Sequence, residues 1–405
     1  MKAKAYDGYR PYAYLEAGRD YRPFRLAPDG ERLPGQPGRP ALDAAGEARV
    51  QRLLEGSLVV SLHDHPVRLP QDMDEVHELR RQGRDFLAYE GLSRGGLDVV
   101  FDGMANGEAT ITSKSAWKWD DVIYDLGMRL CDIAHQDFVY PAYTLADVEA
   151  ARTNGRLALV LTEEAATPIE NELDRLDILY GLGVRVIGVT YVESNTLGGG
   201  QGEARDGGLT HFGRAAIRRM NQLGMAIDIA HSGDRTSLEA IEASRTPLFV
   251  THAGARGVWP TPRMKPDDQL RALAQGGGVI GIEAAPHSTQ SPSTPRHNLD
   301  AVMAHFEYCV NLMGIDHVAF GPDTLYGDHV AMHRAFAHLP PGRPTTPSGP
   351  SFEAVPYVAG IENPTEALMN IARWLVGHGY GDDDIRKALG ANVVRVLRAA
   401  WQPAS

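Results

Sequence analysis

The sequence predicts an α/β protein: a (β/α)8 TIM barrel with an N-terminal arm and C-terminal helices. Three observations predict it. Eight short apolar runs rich in β-branched residues recur along the chain. Stretches with apolar residues at i, i+3 and i+4 fall between them. The ends of the runs collect His, Asp and Glu. Near-continuous apolar runs alternating with helices are what parallel βα units require. Eight of them fit a closed barrel, with a doubly wound open sheet as the alternative on pattern alone.

Residues 1–50 are rich in Tyr, Pro, Arg and Gly and read as an extended arm packed on the barrel, which takes up 51–405 as a single domain. The runs are SLVVSLHDHP (57–66), LDVVFDGM (97–104), RLALVLTEE (156–164), VRVIGVTY (184–191), MAIDIAH (225–231), PLFVTH (247–252), GGVIGIEA (277–284) and HVAFGPDT (317–324). Among the intervening helical stretches are IENELDRLDILYGLG, THFGRAAIRRMNQLG and DRTSLEAIEAS; Gly183 and Gly224 close the first two, as helix ends favour. Residues 331–362 are rich in Pro and Gly and too long for a simple connection, so they read as a lid or interface loop. C-terminal helices follow over 363–401. There Asp382, Asp383 and Asp384 read as a helix N-cap with charges that complement the dipole.

Composition narrows the function. Of 405 residues 43% are hydrophobic and 23% charged, enough for a large core, and the net charge of -12 argues against nucleic-acid or anionic-membrane surfaces. The two cysteines, Cys131 and Cys309, lie far apart outside any CxxC, which excludes a disulfide framework and a thiolate zinc site. No run approaches the length of a membrane helix and the N-terminus reads as no signal peptide. The expectation is a cytoplasmic protein.

Barrel chemistry sits where strands end. The first run ends in His63-Asp64-His65, the third in Glu163-Glu164, the fourth in Tyr191, the fifth in Asp228 and His231, the sixth in His252 and the eighth in Asp323. On a strand His63 and His65 share a face and Asp64 takes the other. Asp228, mid-strand, reads as a hydrogen-bonding structural residue. Four imidazoles and two carboxylates converging on one rim cost too much to desolvate without a cation, and that donor set suits Zn²⁺. Two motifs lead nowhere. Gly91-Leu92-Ser93-Arg94-Gly95 matches G-x-S-x-G, but its strand follows instead of preceding it. His77-Glu78 begins an HExxH without its second His.

Residues 57–401 resemble the membrane (renal-type) dipeptidases, peptidase family M19, among the amidohydrolase-like barrels. The resemblance is carried by VVSLHDH, LDRLDILYGLGVRVIGVTY, GLTHFGRAAIRRMNQLGMAIDIAHSG, FVTHAGARGVWPTPR, GGVIGIEA, IDHVAFGPDT and the tail from Asn363. It implies a zinc metallo-dipeptidase with two divalent cations: His63 and His65 on one, His231 and His252 on the other, Glu164 bridging. It further implies that Arg263 pairs with the substrate carboxylate and that Asp323 handles the proton of a metal-bridging hydroxide. A homodimer is implied too, with 331–362 as a candidate contact. Two positions depart from the family: His65 stands where Asp is common, and Tyr191 where the dipeptidases carry a substrate-touching His. Tyr191 can still donate to an oxyanion.

The expected reaction is hydrolysis of a dipeptide, including one with a D-residue at its C-terminal side. The alternatives left open are another small amide or lactone, and a biosynthetic isomerase or tautomerase on the same scaffold.

Overall fold

The computed structural model describes residues 4–29, 38–104, 106–294, 296–337, 350, 353 and 355–402. Its strands are β1 (Val60–Asp64), β2 (Val99–Met104), β3 (Val139–Pro141), β4 (Leu157–Glu163), β5 (Val186–Gly188), β6 (Ala226–Asp228), β7 (Phe249–Ala253), β8 (Val279–Ile282) and β9 (Val318–Phe320). Eight of them pair in parallel in the order β1-β2-β4-β5-β6-β7-β8-β9. Just past β9 the ring returns to β1, where Asp323 N–H donates to His63 O at 3.0 Å and His65 N–H to Thr324 O at 2.8 Å. The protein is a (β/α)8 barrel.

All eight expected strands form. β3 was not among them: at three residues it carries no run to recognise, and it pairs with β4 only at Leu157–Leu159, beneath the stretch that β5 covers.

Alternation splits the core in two. Val99 and Phe101 of β2 and Ala158 and Val160 of β4 belong to a cluster inside the barrel. Val100 and Met104, with Leu157, Leu159 and Leu161, belong to the larger cluster beneath the helices. Each of the larger of these buried side chains contributes about 1.5–3 kcal/mol. At the end where the strands begin, Val393, Val396, Leu397 and Ala400 of the last helix join the inner cluster and close the barrel.

Two strands break their alternation. In β1, Leu62 and His63 together oppose the single Phe101 of β2, because the register jumps between Ser61 and Asp64. In β7, Thr251 and His252 together oppose Gly281, with a jump between Val250 and Ala253. Each jump is a β-bulge that re-aims the residues after it. After the first, His63 faces inward with the side chains it would otherwise oppose, while Asp64 faces away and accepts from Ser61 Oγ and from Thr324 N–H (2.8 Å) and Oγ1 (2.6 Å).

The first helix spans Ala44–Gly56, so helical structure begins inside the stretch read as extended arm. The earlier part docks through Asp132, which accepts from Tyr12 N–H at 2.6 Å and from the Tyr9 and Tyr89 hydroxyls at 2.8 Å. Gly224 caps its helix in the left-handed conformation (φ 72°), as expected. The Asp382 helix is capped by Gly381 instead, and its three aspartates occupy the first turn, where they still oppose the dipole. Of the 331–362 loop, residues 338–349, 351, 352 and 354 lie outside the described residues, while His329–Phe336 is a helix.

Candidate active site

At the mouth where the strands end, the structure gathers the expected residues. His63 sits in the bulge of β1 and His65 just past that strand, Glu164 follows β4, His231 follows β6, His252 sits in the bulge of β7, and Asp323 follows β9. His63, His65 and Glu164 have ligand atoms within 4.8 Å of one another, as do Glu164, His231 and His252. Glu164 is common to both groups. His65 Nε2 lies 3.8 Å from Glu164 Oε1 and His231 Nε2 lies 3.6 Å from Glu164 Oε2, so each carboxylate oxygen addresses a different side. Asp323 Oδ1 lies 3.1 Å from His65 Nε2 and 3.5 Å from His63 Nε2.

Neighbouring groups aim these ligands. His65 Nδ1–H donates to the carbonyl of Gly103, which leaves Nε2 free to face Glu164 and Asp323. Thr251 Oγ1 meets His252 Nδ1 at 2.8 Å and donates to Asp228 at 2.7 Å, turning His252 Nε2 inward. Asp228 also accepts from Thr251 N–H and Ala230 N–H, the structural role expected of it. His63 is stacked on His252 with ring centroids 3.6 Å apart.

The electrostatics are those of a cation site. His63 Nδ1 and Nε2 and His231 Nδ1 are buried with no hydrogen-bond partner among the described residues. His231 Nε2 and His252 Nε2 face each other at 2.9 Å. Burial holds both of these histidines well below the ordinary imidazole value, so they present neutral lone pairs. Burial raises the Glu164 carboxyl, opposed by the charges of His63 and His65. It acts the same way on Asp323, but the imidazoles of His329, His63 and His65 overcome it and hold that carboxyl well below the usual range. A divalent cation satisfies the unpaired nitrogens and offsets the desolvation of both carboxylates, so the residues present fit such a group.

Asp323 is one of four non-glycine residues with positive φ among the described residues (φ 58°). Strain of that kind at a buried acid is a mark of a functional site.

Tyr191 packs against His231 (ring centroids 4.2 Å) and Trp117 (5.2 Å), at the rim. Arg263 is beside the site too, but engaged. It donates to Ala230 O at 3.0 Å and His252 O at 2.7 Å, and it forms an ion pair with Glu283. Glu283 also accepts from Ser288 Oγ and Thr289 Oγ1 and has a ligand atom within 4.8 Å of His252 and Asp323. Sequence reading passed over Glu283, although it ends the GGVIGIEA run in the same way as the other rim residues. It also missed His287, His329 and His333, a second imidazole group whose HVAMH spacing was the available signal.

A model of the membrane dipeptidase family (peptidase family M19) matches residues 47–333. Fold, rim and match define a metal-dependent hydrolase on a (β/α)8 barrel. The chain belongs to the membrane dipeptidase family, peptidase family M19. It is 33% identical over 268 residues to an uncharacterized protein in the pqqA 5'region of Klebsiella pneumoniae, covering 64% of this chain and 87% of that one. To dipeptidase aclJ of Aspergillus oryzae it is 28% identical over 265 residues, covering 64% of this chain and 56% of that protein; it thus spans little more than half of that relative. Among solved structures, an amidohydrolase from Pseudomonas aeruginosa superposes with a TM-score of 0.69 at 25% identity, covering 87% of this chain and 99% of that one. A metallopeptidase from Rhodobacter sphaeroides, liganded with a phosphinate mimic of the dipeptide L-Ala-D-Ala, shares the fold at a TM-score of 0.65 and 19% identity, covering 85% of this chain and 99% of that one. Among the described residues no helix is long and apolar enough to cross a membrane.

Proposed function

We propose that the protein is a dipeptidase that uses two zinc-class cations, one held by His63 and His65, the other by His231 and His252, with Glu164 shared. The observation that carries this reading is the convergence of four buried imidazoles on one carboxylate whose two oxygens face opposite groups. Bound there, the cations supply Lewis acidity and a water activated at neutral pH. Asp323, held ionised, accepts a proton from the attacking water and passes it to the leaving amine. Tyr191 stands at the rim, and in this reading its hydroxyl donates to the developing oxyanion. Arg263 keeps its pairing with Glu283 and offers Nε–H, which has no partner among the described residues, to the substrate carboxylate.

One observation favours a second reading. Because Glu283 already neutralises Arg263, a small amide or lactone without a carboxylate suits the same mouth.

The test is turnover of a dipeptide library, L-D pairs included, by zinc-reconstituted protein, with His252→Ala as control. The reading expects cleavage that disappears in His252→Ala together with bound metal. Two equivalents of metal with no cleavage of any dipeptide overturns it, and unchanged efficiency in Arg263→Ala moves the substrate to the second class.

A further inference from the structure

A second set of imidazoles stands beside the residues described above. His329 and His333 occupy one face of the helix His329–Phe336, four residues apart, and His287 reaches them from the loop after β8. Candidate ligand nitrogens of the three lie within 4.8 Å of one another. His329 Nε2 and His333 Nε2 are 3.0 Å apart. Ring centroids separate by 4.1 Å for His287 and His333, 5.5 Å for His287 and His329, and 4.8 Å for His329 and His333. His329 is 4% exposed, and its ring lies 6.4 Å from that of His65.

The trio fits a ligand better than it fits itself. Two Nε2 atoms face to face can share only one proton, which leaves the third ring outside that bond. His287 Nδ1 is buried with no hydrogen-bond partner among the described residues. Burial holds all three rings below the ordinary imidazole value, which favours the form that binds a metal. No carboxylate joins the trio as a ligand, although Asp323 is near enough to act on all three electrostatically.

We propose that His287, His329 and His333 form a further cation site, a three-imidazole face for a late first-row divalent metal of the zinc class. Three imidazoles are a donor set that such a metal takes readily. Zinc–nitrogen distances of about 2.0–2.1 Å put two ligand nitrogens about 3.3 Å apart on a tetrahedral metal, close to the 3.0 Å between His329 Nε2 and His333 Nε2. Neither the other cations nor the dipeptidase reading is needed for this site.

The test counts metal. Full-length wild type, His287→Ala and His333→Ala are each equilibrated with Zn²⁺, freed of excess, and measured by native mass spectrometry and elemental analysis. Each variant is expected to hold one equivalent fewer than wild type, and the double variant to lose no more than one. Equal stoichiometry in wild type and both variants overturns the proposal. Should an alanine variant fail to fold, His333→Gln, with Co²⁺ absorption as the readout, decides the matter: a lost band set supports the site and an unchanged spectrum overturns it. His252→Ala separates this idea from the preceding one. If wild type holds a single equivalent that survives in His252→Ala and vanishes in His333→Ala, the proposed pair fails and this site stands.

Discussion

Replacing Gly103 with Ala puts one methyl group against the proposed first metal ligand. A Cβ at residue 103 would stand 2.3 Å from His63 Cε1, 2.7 Å from Nε2 and 3.1 Å from Nδ1. Ordinary carbon contacts begin near 3.5 Å, so the ring must retreat by about 1 Å. It has little room to do so, since it is already stacked at 3.6 Å on His252, and a shift displaces two ligands at once. Overpacking of this kind costs about 1–3 kcal/mol of stability. A 1 Å misplacement at a reacting centre costs about 10²-fold in rate. We expect Gly103→Ala to keep its fold, to bind less zinc and to lose about 10²-fold in kcat/KM. The assays are elemental analysis, dipeptide turnover and a thermal melt. Gly127→Ala is the control: it lies in the helix Trp119–Ile133, where an added Cβ meets nothing within 4 Å, so it should stabilise by about 1 kcal/mol and leave metal content unchanged. Wild-type metal content and turnover in Gly103→Ala would falsify the placement of His63 at the centre of the site.

Two further outcomes follow from buried groups. Arg129 bridges Asp102 and Asp85 behind β2; Asp85 keeps its second partner Arg80, but Arg129→Met leaves the buried Asp102 without its cation, so a loss of about 3–5 kcal/mol is expected in denaturant melts; a midpoint within error of wild type contradicts it. His305 is buried, accepts from Ala255 N–H at 2.9 Å through Nδ1 and donates to Gln290 O at 2.6 Å, and burial lowers its pKa to about 4. The unfolded chain takes up that proton first as pH falls, so the contribution is whole above about pH 6.5 and is lost toward pH 4 at roughly 1.4 kcal/mol per unit. Denaturant midpoints at pH 7 and pH 5 should therefore fall less in His305→Gln than in wild type, and equal falls count against the assignment.

Much of this was legible in the chain. A parallel barrel strand is buried on both faces, so it must be an apolar run whatever its neighbours are, and eight such runs announce themselves by composition alone. β3 could not, because three residues paired to one end of β4 carry no pattern. The rim residues were legible for a related reason. Polar ligating types at the end of an apolar run have few uses besides chemistry, and His63, His65, Glu164, His231, His252 and Asp323 do meet. Glu283 obeys the same rule and was overlooked. The Arg263 ion pair was invisible, since nothing local in PTPR points to a glutamate twenty residues on.

The order of strands and helices, the end of the barrel that carries the polar residues, and the kinds of donor found there are set by local sequence, because each depends only on which side chains must leave water. The direction in which those donors point is not local. Strict alternation would turn His63 away from Val60 and Leu62, and His252 away from Phe249; bulges opposite Phe101 and Gly281 reverse both. A bulge is fixed by pairing with the neighbouring strand, so the convergence on Glu164 exists only once the barrel has closed.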